Sequence, residues 1–516
     1  MPGRALHLPA DFTTFVCMKR YLKLNIFLQA GLLVLLLGVE CPQMQAQPNV
    51  KVLTDAIGRL DADAAMQSAN WSICVRDVQS GRVLAGHNEH RSLPTASTLK
   101  ALTSATALGI LGPDFRFATY LEYSGRIEQG VLEGNLYIRG TGDPSLGSDR
   151  FEGYAALPKL MLDWVEVLRQ KGIKRIAGKV IADASAFDTQ LTPGKWSWED
   201  MGNYYGAGVS GLNINENLYR LDFVPGAKAG DDTRILRSEP YIPGLRFINE
   251  VTTGTPRSGD NAYIFGAPYT FERYVRGTIP AGRPVFSIKG SMPDPALFCA
   301  QYLSELLDSC GIPAAGATSL RLEQLAGRQH TGRRSQLHRH LSPPLKELIV
   351  PLNMESINLY AEALCKQIAV ASGKPGSTAQ GVEVMQDFWK ERGVNTRGMM
   401  LRDGSGLSAN NALSTAQLTF ILSKAHRASW GQAFYQSLPL AGRSGSLKNM
   451  LRGSRAENNL RAKSGYIAGV RSYAGFVDTR SGKRLAFAVI AHNYSGSPGA
   501  MRRKLEQLMA ALAEIP

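Results

Sequence analysis

The sequence predicts a mixed α/β fold of the α+β type, in which helices flank an antiparallel five-stranded sheet and a β-rich region is inserted into that domain. Three observations predict this fold. Two strand patterns occur near the N-terminus and three near the C-terminus, in company with helical periodicity. The middle third instead contains short β-rich runs separated by glycine and proline. A nearly apolar helix follows Ser97, and a helix of that kind belongs in a protein core.

The N-terminal elements are two strands and then this apolar helix. Alternating residues predict strands at 71–78 and 82–85, joined by a Gln-Ser-Gly turn. The helix begins after Pro94 and ends at Gly112-Pro113, because proline favours a helix start and glycine favours a helix end. We expect the two strands to join three C-terminal strands in one sheet.

The middle third is predicted to be a separate, β-rich insertion. Its predicted elements are short strands from 117 to 142, an amphipathic helix at 154–171, a strand at 175–183 and further β-type segments from 218 to 283. A basic stretch at 325–342 contains three histidines, but their neighbours are cations. We therefore expect a solvated loop there rather than a metal site.

Helical periodicity returns after the insertion. Helices are predicted at 345–352, 358–371 and 379–392, with a capping box opening another at Ser414, and strands at 459–466, 471–477 and 484–492. The final amphipathic helix at 498–515 could lie on a membrane, but packing against the sheet is the favoured interpretation. Peripheral membrane association is kept as an alternative.

The N-terminus has the layout of a secretory signal. Three basic residues within 19–23 precede an apolar run at 26–39, and Met44-Gln45-Ala46 follows, which ends on a small residue. We therefore predict a signal peptide region at 1–46, with Met18 as a natural start. A permanent anchor is the rival interpretation, but the apolar run is short for a membrane span. Export would place the protein in the periplasm or cell envelope.

Charge and cysteine content limit the function classes. The formal net charge of +15 suits either an anionic cell-wall polymer or membrane surface, or simple solubility. No nucleic-acid-binding motif accompanies this charge, so nucleic acid is not an expected partner. Four cysteines follow the signal region, namely Cys74, Cys299, Cys310 and Cys365. Their wide spacing predicts core thiols rather than a disulfide framework or a zinc site.

Ser97 and Lys100 form a serine–lysine pair on one helical turn. Free backbone N–H groups at a helix start can hold an oxyanion beside such a serine. The helix dipole and the apolar surroundings would lower the pKa of Lys100 and make it a neutral base. The pair alone is more typical of a helix-capping serine and a surface lysine than of a catalytic pair.

Two further triplets follow in a fixed order. Ser356-Ile357-Asn358 lies between two predicted helices, and Lys463-Ser464-Gly465 lies near the end of a predicted strand. Each is weak alone, because serine and asparagine also cap helices and lysine also lies on edge strands. Together the three match the S-x-x-K, S-x-N and K-[ST]-G motifs of penicillin-binding proteins and serine β-lactamases.

About 260 residues separate Lys100 from Ser356, which is more than a class A β-lactamase has. From about residue 50 to its end, the sequence resembles the class C low-molecular-mass penicillin-binding proteins, the D-alanyl-D-alanine carboxypeptidase/endopeptidase family. The supporting stretches are G-T-G-D-P at 140–144, N-I-N-E-N at 213–217, N-L-Y-A-E at 358–362 and D-G-S-G-L-S at 403–408.

The resemblance implies a penicillin-binding/serine β-lactamase-like transpeptidase domain with two nested β-rich inserted domains. The catalytic domain would be discontinuous, comprising 47–118 and 341–516. Inserted domain II would comprise 119–142 and 211–340, with nested domain III at 143–210. The implied reaction needs no metal and no cofactor.

The resemblance also implies catalytic roles. Ser97 would be the acylated nucleophile and Lys100 its base. Ser356 would pass a proton to the leaving D-Ala nitrogen, while Asn358 would hold Lys100 and the substrate amide. Lys463 would supply positive potential. Acyl transfer to a serine followed by hydrolysis is a two-step covalent mechanism.

Residues after Lys463 are implied to bind substrate. Ser464 would bind the terminal carboxylate, Gly465 would line the cleft, and the N–H groups of Ser97 and Tyr466 would form the oxyanion hole. The implied partners are peptidoglycan stem peptides that end in D-Ala-D-Ala, and β-lactams as acylating inhibitors. Endopeptidase cleavage of crosslinks accompanies carboxypeptidase activity in this family. A serine β-lactamase and a non-catalytic wall-binding protein are the alternatives.

The sequence departs from the family pattern at three places. Ser464 replaces the commoner threonine but keeps the hydroxyl, and Ile357 stands where aspartate is frequent. Ser444 stands where the family usually has aspartate, which affects a secondary contact in the cleft. Asp403 invites a catalytic role, but an Asp-Gly-Ser-Gly sequence is expected to form a turn first.

Overall fold

The computed structural model describes residues 50–516, which belong to one compact unit. The predicted signal region at 1–46 and the start at Met18 lie outside the described residues. Within residues 50–516, no helix is long and apolar enough to cross a membrane.

A five-stranded antiparallel sheet forms the centre of the molecule, as predicted. Its strand order is Arg461–Ile467, Val470–Asp478, Arg484–His492, Asn70–Asp77 and Val83–His87. The two N-terminal strands therefore join the three C-terminal strands in one sheet. Most side chains of the middle strand are buried on both faces, because helices cover both sides.

Helices on the two faces enclose two hydrophobic cores. One face packs against Thr415–Arg427, behind which lie Leu99–Leu111 and Asn358–Ala371. The other face packs against the pair Lys51–Asp61 and Pro498–Ala513. The apolar residues of the last helix are buried there, which agrees with the favoured interpretation for this segment. The predicted capping box at Ser414 and Gln417 forms the start of the helix Thr415–Arg427.

Smaller elements complete this part of the chain. The remaining helices are Leu345–Met354, Thr378–Glu391 and Gly431–Ser437, and the strands Leu93–Pro94 and Ala412–Leu413 pair with each other. All four predicted core cysteines are free. Three of them are buried, and Cys310 is only partly buried.

The middle region contains a second five-stranded sheet. Its order is Ala317–Ser319, Val180–Asp183, Leu136–Gly140, Ala118–Tyr123 and Ser335–Leu341. The last of these strands corrects the prediction of a loop throughout 325–342. Its backbone pairs with a strand more than 200 positions earlier, and a basic composition does not reveal such a long-range pairing.

The other elements of the middle region surround this sheet. The three small sheets comprise Arg126–Glu128, Val131–Glu133 and Arg175–Ile176; Leu218–Val224, Arg234–Glu239 and Phe286–Ser291; and Arg246–Gly254, Asn261–Phe265 and Glu272–Pro280. The helices are Leu157–Gln170, Trp198–Met201, Pro295–Ser309 and Leu320–Leu325. One hydrophobic core joins Trp164, from the predicted nested domain, with Leu132 and Phe223 from its flanks. Division of the insertion at 143 and 210 therefore stays a prediction.

Candidate active site

Ser97 lies in a strained turn at the start of the buried helix. Residues Ala96–Thr98 form one 3-10 turn that runs directly into Leu99–Leu111. Ala96 has a positive φ of 46°, a left-handed conformation that is costly for a residue with a side chain. The Ser472 hydroxyl donates a hydrogen bond to the Thr95 carbonyl at 2.7 Å, so the central sheet holds this turn in place.

Lys100 is fully buried and makes three polar contacts. Its Nζ lies 3.0 Å from Ser97 Oγ, 2.5 Å from Asn358 Oδ1 and 2.7 Å from the Ser405 carbonyl. Burial lowers the pKa of Lys100 to about 7, although the charges of Asp403 and Glu362 oppose this shift. A lysine with this pKa is partly neutral at neutral pH, and its lone pair then faces the Ser97 hydroxyl.

Two buried carboxyl groups support the loop that contacts Lys100. Glu362 Oε1 accepts hydrogen bonds from the backbone N–H groups of Gly404 at 3.0 Å and Ser405 at 2.8 Å. Asp403 accepts N–H bonds from Gly406 and Ser408, both at 2.7 Å. Asp403 therefore forms the turn that its sequence predicts, and it contacts no reacting group.

Glu362 is a functional residue that the sequence reasoning missed. The N-L-Y-A-E stretch at 358–362 includes it, and its position four residues after Asn358 places the two on one helix face. Burial, with the Asp403 charge, raises the pKa of the Glu362 carboxyl to about 8. The carboxyl is therefore largely neutral at neutral pH, and its main contribution to the site is the shape of the loop.

Lys463 and Ser356 form a second serine–lysine contact. Lys463 Nζ donates to Ser356 Oγ at 2.9 Å and to the Ser464 carbonyl at 2.7 Å. Lys463 is fully buried, and burial together with the charge of Lys100 lowers its pKa well below the usual value. Ser356 has a positive φ of 63°, so its backbone is also strained.

The amide of Asn358 links the site to the middle region. Its Oδ1 accepts from Lys100, and its Nδ2 donates to the Tyr205 carbonyl at 2.7 Å. One hydrogen of the NH₂ group is left for another acceptor, because the group has two. No sequence pattern indicates the Tyr205 contact, which joins residues 153 positions apart.

The strand Arg461–Ile467 lies directly against the turn that carries Ser97. A Cβ atom at Gly465 would lie 3.0 Å from the backbone nitrogen of Ser97 and 2.3 Å from Ser472 Oγ. Only glycine allows this approach. Tyr466, the next residue, is half exposed.

The hydroxyl of Ser464 contacts a neighbouring loop. Ser464 Oγ lies 2.7 Å from Ser446 Oγ. The nearby Ser444 accepts the backbone N–H of Leu440 at 3.0 Å, so at this position the serine supports a local turn.

The three predicted motifs thus meet at one place. Hydrogen bonds join Ser97 to Lys100 and Lys100 to Asn358. A second contact joins Ser356 to Lys463, and Gly465 packs against the turn that carries Ser97. A serine beside a buried lysine of lowered pKa can be deprotonated without a histidine. The fold and this arrangement define an acyl-serine hydrolase of the penicillin-recognising class.

Comparison with known families gives a more specific classification. The model of the D-Ala-D-Ala carboxypeptidase 3 (S13) family matches residues 53–514. The chain belongs to this family, and it is accordingly a serine-type D-alanyl-D-alanine carboxypeptidase.

Relatives match over most of their length. The chain is 28% identical over 458 residues to the D-alanyl-D-alanine carboxypeptidase of Actinomadura sp. (strain R39), covering 86% of this chain and 81% of the relative. It is 24% identical over 433 residues to the D-alanyl-D-alanine carboxypeptidase DacB of Haemophilus influenzae, with 83% and 86% covered.

Solved structures confirm the predicted fold. The crystal structure of penicillin binding protein 4 (dacB) from Haemophilus influenzae superposes with a TM-score of 0.74 at 23% identity, covering 90% of this chain and 98% of that one. The structure of the same protein complexed with a novel β-lactam gives a TM-score of 0.71 at 21% identity, covering 90% and 99%.

Proposed function

We propose that Ser97 is the nucleophile with which this carboxypeptidase removes the terminal D-alanine from peptidoglycan stem peptides. The observation that carries the proposal is the 3.0 Å contact between Lys100 Nζ and Ser97 Oγ in a buried site. Lys463 and Ser356, which contact each other close to Lys100, form the second half of the proposed machinery.

Acylation begins with transfer of the Ser97 proton to neutral Lys100. Ser97 Oγ then attacks the carbonyl carbon of the penultimate D-Ala, and the N–H groups of Ser97 and Tyr466 stabilise the negative oxygen. Ser356 passes its proton to the nitrogen of the departing D-Ala and takes up in exchange the proton that Lys100 received, and the C–N bond breaks. An ester to Ser97 is left.

Deacylation runs through the same groups. Water transfers a proton to Lys100 as its oxygen attacks the ester carbonyl, and Lys100 returns that proton to Ser97 Oγ as the C–O bond of the ester breaks. The leaving amine of the first step is free D-Ala in carboxypeptidase action. In endopeptidase action it is the amine of a second stem peptide, and the same chemistry cleaves the crosslink.

The substrate carboxylate is placed by the strand that carries Lys463. Positive charge on Lys463 and the Ser464 hydroxyl favour a terminal carboxylate at this end of the cleft. A β-lactam presents a carboxylate at a similar distance from its reactive carbonyl. Opening of its ring by Ser97 would leave a covalent adduct that blocks the site.

The proposal places the enzyme outside the cytoplasm, in the periplasm or cell envelope. The signal-like pattern at 1–46 and the location of peptidoglycan support this. Peripheral membrane association is not part of the proposal, because the apolar face of the last helix is buried against the central sheet.

The test combines two measurements on the folded protein. Mass spectrometry after labelled penicillin should find one adduct on Ser97, and an assay with a D-Ala-D-Ala pentapeptide should find released D-Ala. The Ser97→Ala variant should lose both. An adduct that survives this substitution would overturn the assignment, rapid turnover of penicillin without D-Ala release would indicate a β-lactamase, and peptide binding without either reaction would indicate a wall-binding protein.

A further inference from the structure

The N-I-N-E-N stretch at 213–217 forms a backbone turn that the proposed reaction does not use. Asn215, Glu216 and Asn217 are three consecutive residues with positive φ, at 51°, 54° and 55°. Asparagine tolerates this left-handed conformation, whereas for glutamate it is strained. Strain of this kind persists only where surrounding contacts enforce it.

Side chains of the same stretch enforce the turn. Asn217 Oδ1 accepts the Ile214 N–H at 3.0 Å, and Asn217 Nδ2 donates to the Gly208 carbonyl at 2.7 Å. Asn213 in turn accepts from Asn217 at 2.8 Å and from the Ser210 N–H at 2.8 Å. The turn is therefore built to present Glu216 in one orientation.

Glu216 is buried and collects three donors on one oxygen. Its Oε1 accepts from Ser148 Oγ at 2.9 Å, Arg150 Nε at 2.5 Å and Tyr360 Oη at 2.8 Å. Two of these donors come from the middle region. The third, Tyr360, is a buried residue of the helix that begins at Asn358.

Arg150 also contacts the residue that precedes Ser356, on the other side of Ser356 from Tyr360. Its Nη1 donates to Glu355 Oε2 at 2.6 Å. Glu355 immediately precedes Ser356, and Tyr360 follows Asn358 by two residues. The middle region thus holds both ends of the segment that carries Ser356 and Asn358, through one carboxylate and one guanidinium.

We infer that Glu216 is a positioning residue for the reaction: through Tyr360 and Arg150 it fixes the strained Ser356–Asn358 segment so that Ser356 can deliver its proton to the leaving amine. The inserted region is thereby part of the catalytic scaffold. This inference rests on the proposed role of Ser356 as the proton donor to the leaving group.

Leaving-group dependence separates this role from a merely structural one. An amide needs a proton on its nitrogen to leave, whereas an ester with a lactate leaving group needs much less help. A misplaced Ser356 therefore slows a D-Ala-D-Ala peptide more than the matching D-Ala-D-lactate ester. Loss of folded protein slows both by the same factor, so the ratio of ester to peptide rates is the informative quantity.

The experiment measures this ratio in five variants of the enzyme: Glu216→Gln, Tyr360→Phe, the two substitutions together, Glu323→Gln and Ser356→Ala. Glu216→Gln keeps the size of the side chain but removes the charge, and it should lower peptide hydrolysis roughly tenfold or more while raising the ester-to-peptide ratio. Tyr360→Phe should change the ratio in the same direction, and the effects of the two substitutions together should be less than additive because they break one contact.

Glu323→Gln is the matched control. Glu323 is an equally buried carboxylate of the middle region, paired with Arg328 and Lys179, and it does not contact the Ser356 segment. Its substitution should leave the ratio unchanged, even where stability falls. If Glu216→Gln also leaves the ratio unchanged, the inference is overturned.

Ser356→Ala distinguishes a failure of the positioning role of Glu216 from a failure of the proton-donor role of Ser356. If Ser356→Ala raises the ratio and Glu216→Gln does not, the positioning role fails and the proposed function stands. If Ser356→Ala itself leaves the ratio unchanged, the proton-donor role fails and the inference falls with it. A raised ratio in both variants supports both.

Discussion

The protonation state of Lys100 has a measurable effect on the stability of the protein. Burial lowers the pKa of Lys100 from 10.5 to about 7 in the folded state. Between these pH values the unfolded chain binds one proton more than the folded protein. The free energy of unfolding therefore rises with pH by about 1.4 kcal/mol per unit from this group. Below pH 7 both states hold the proton and the destabilisation is largest, and above 10.5 neither holds it and the effect is gone.

The Lys100→Met variant lacks this dependence, so the difference between the two proteins isolates it. Between pH 8 and 9.5, the free energy of unfolding of the natural protein should rise by about 2 kcal/mol relative to the variant. Glu362 contributes the opposite slope, because its pKa is raised from 4.5 to about 8 in the folded state. That slope lies below pH 8, outside the chosen window. Lys463 is present in both proteins and its contribution largely cancels.

Urea unfolding at several pH values, with reductant to protect the free cysteines, measures this difference. Lys346→Met is the control for replacing a lysine by methionine, because Lys346 is a half-exposed lysine that pairs with Asp114 outside the site. The Lys100→Met variant should also fail to form the penicillin adduct. Parallel stability curves for Lys100→Met and the natural protein between pH 8 and 9.5 would refute the reasoning, because Lys100 would then keep its proton on folding.

Three further substitutions test other parts of the site. Gly465→Ala should reduce acylation by labelled penicillin at least about 100-fold, because its Cβ would lie 2.3 Å from Ser472 Oγ. Near-normal acylation would mean that this strand does not contribute to the oxyanion hole. Ser464→Ala should raise KM for D-Ala-D-Ala peptides by about tenfold, whereas Ser464→Thr should keep the KM of the natural enzyme. Equal KM values for the two variants would mean that the Ser464 hydroxyl does not bind the carboxylate. Glu362→Gln should leave the acid limb of the acylation profile close to its natural position, because a carboxyl with a pKa of about 8 is already largely neutral at the pH of that limb. A limb displaced to lower pH would mean that Glu362 is charged there.

The elements that local sequence patterns encode were predicted closely. The strand Arg484–His492 has the predicted bounds, because β-rich residues run without interruption between two turn signals. The helix Asn358–Ala371 and the capping box at Ser414 are also as predicted. In each case the information lies within a few residues of the element.

Contacts between distant segments could not be predicted in this way. The three motifs indicated which residues meet, but nothing near Asn358 indicates that its amide donates to the Tyr205 carbonyl. The same holds for Trp196, whose Nε1 donates to Asp403 Oδ2 at 2.9 Å and closes the loop beneath Lys100. Such contacts depend on how the middle region packs against Asn358 and Asp403, and local sequence periodicity does not indicate that packing.

Because Lys100 and Lys463 are both buried in one site, deprotonation of Lys100 should depend on whether substrate is bound. The charge of Lys100 contributes to lowering the pKa of Lys463, and the interaction is mutual. A bound carboxylate should raise the pKa of Lys463. The charge that Lys463 then carries should lower the pKa of Lys100 and favour its neutral form. The acid limb of kcat, which reports the enzyme–substrate complex, should therefore lie at lower pH than the acid limb of kcat/KM, which reports the free enzyme. Coincident limbs in a pH series with a D-Ala-D-Ala pentapeptide would contradict this coupling, and a substrate amidated at its C-terminus should abolish the separation because it brings no charge to Lys463.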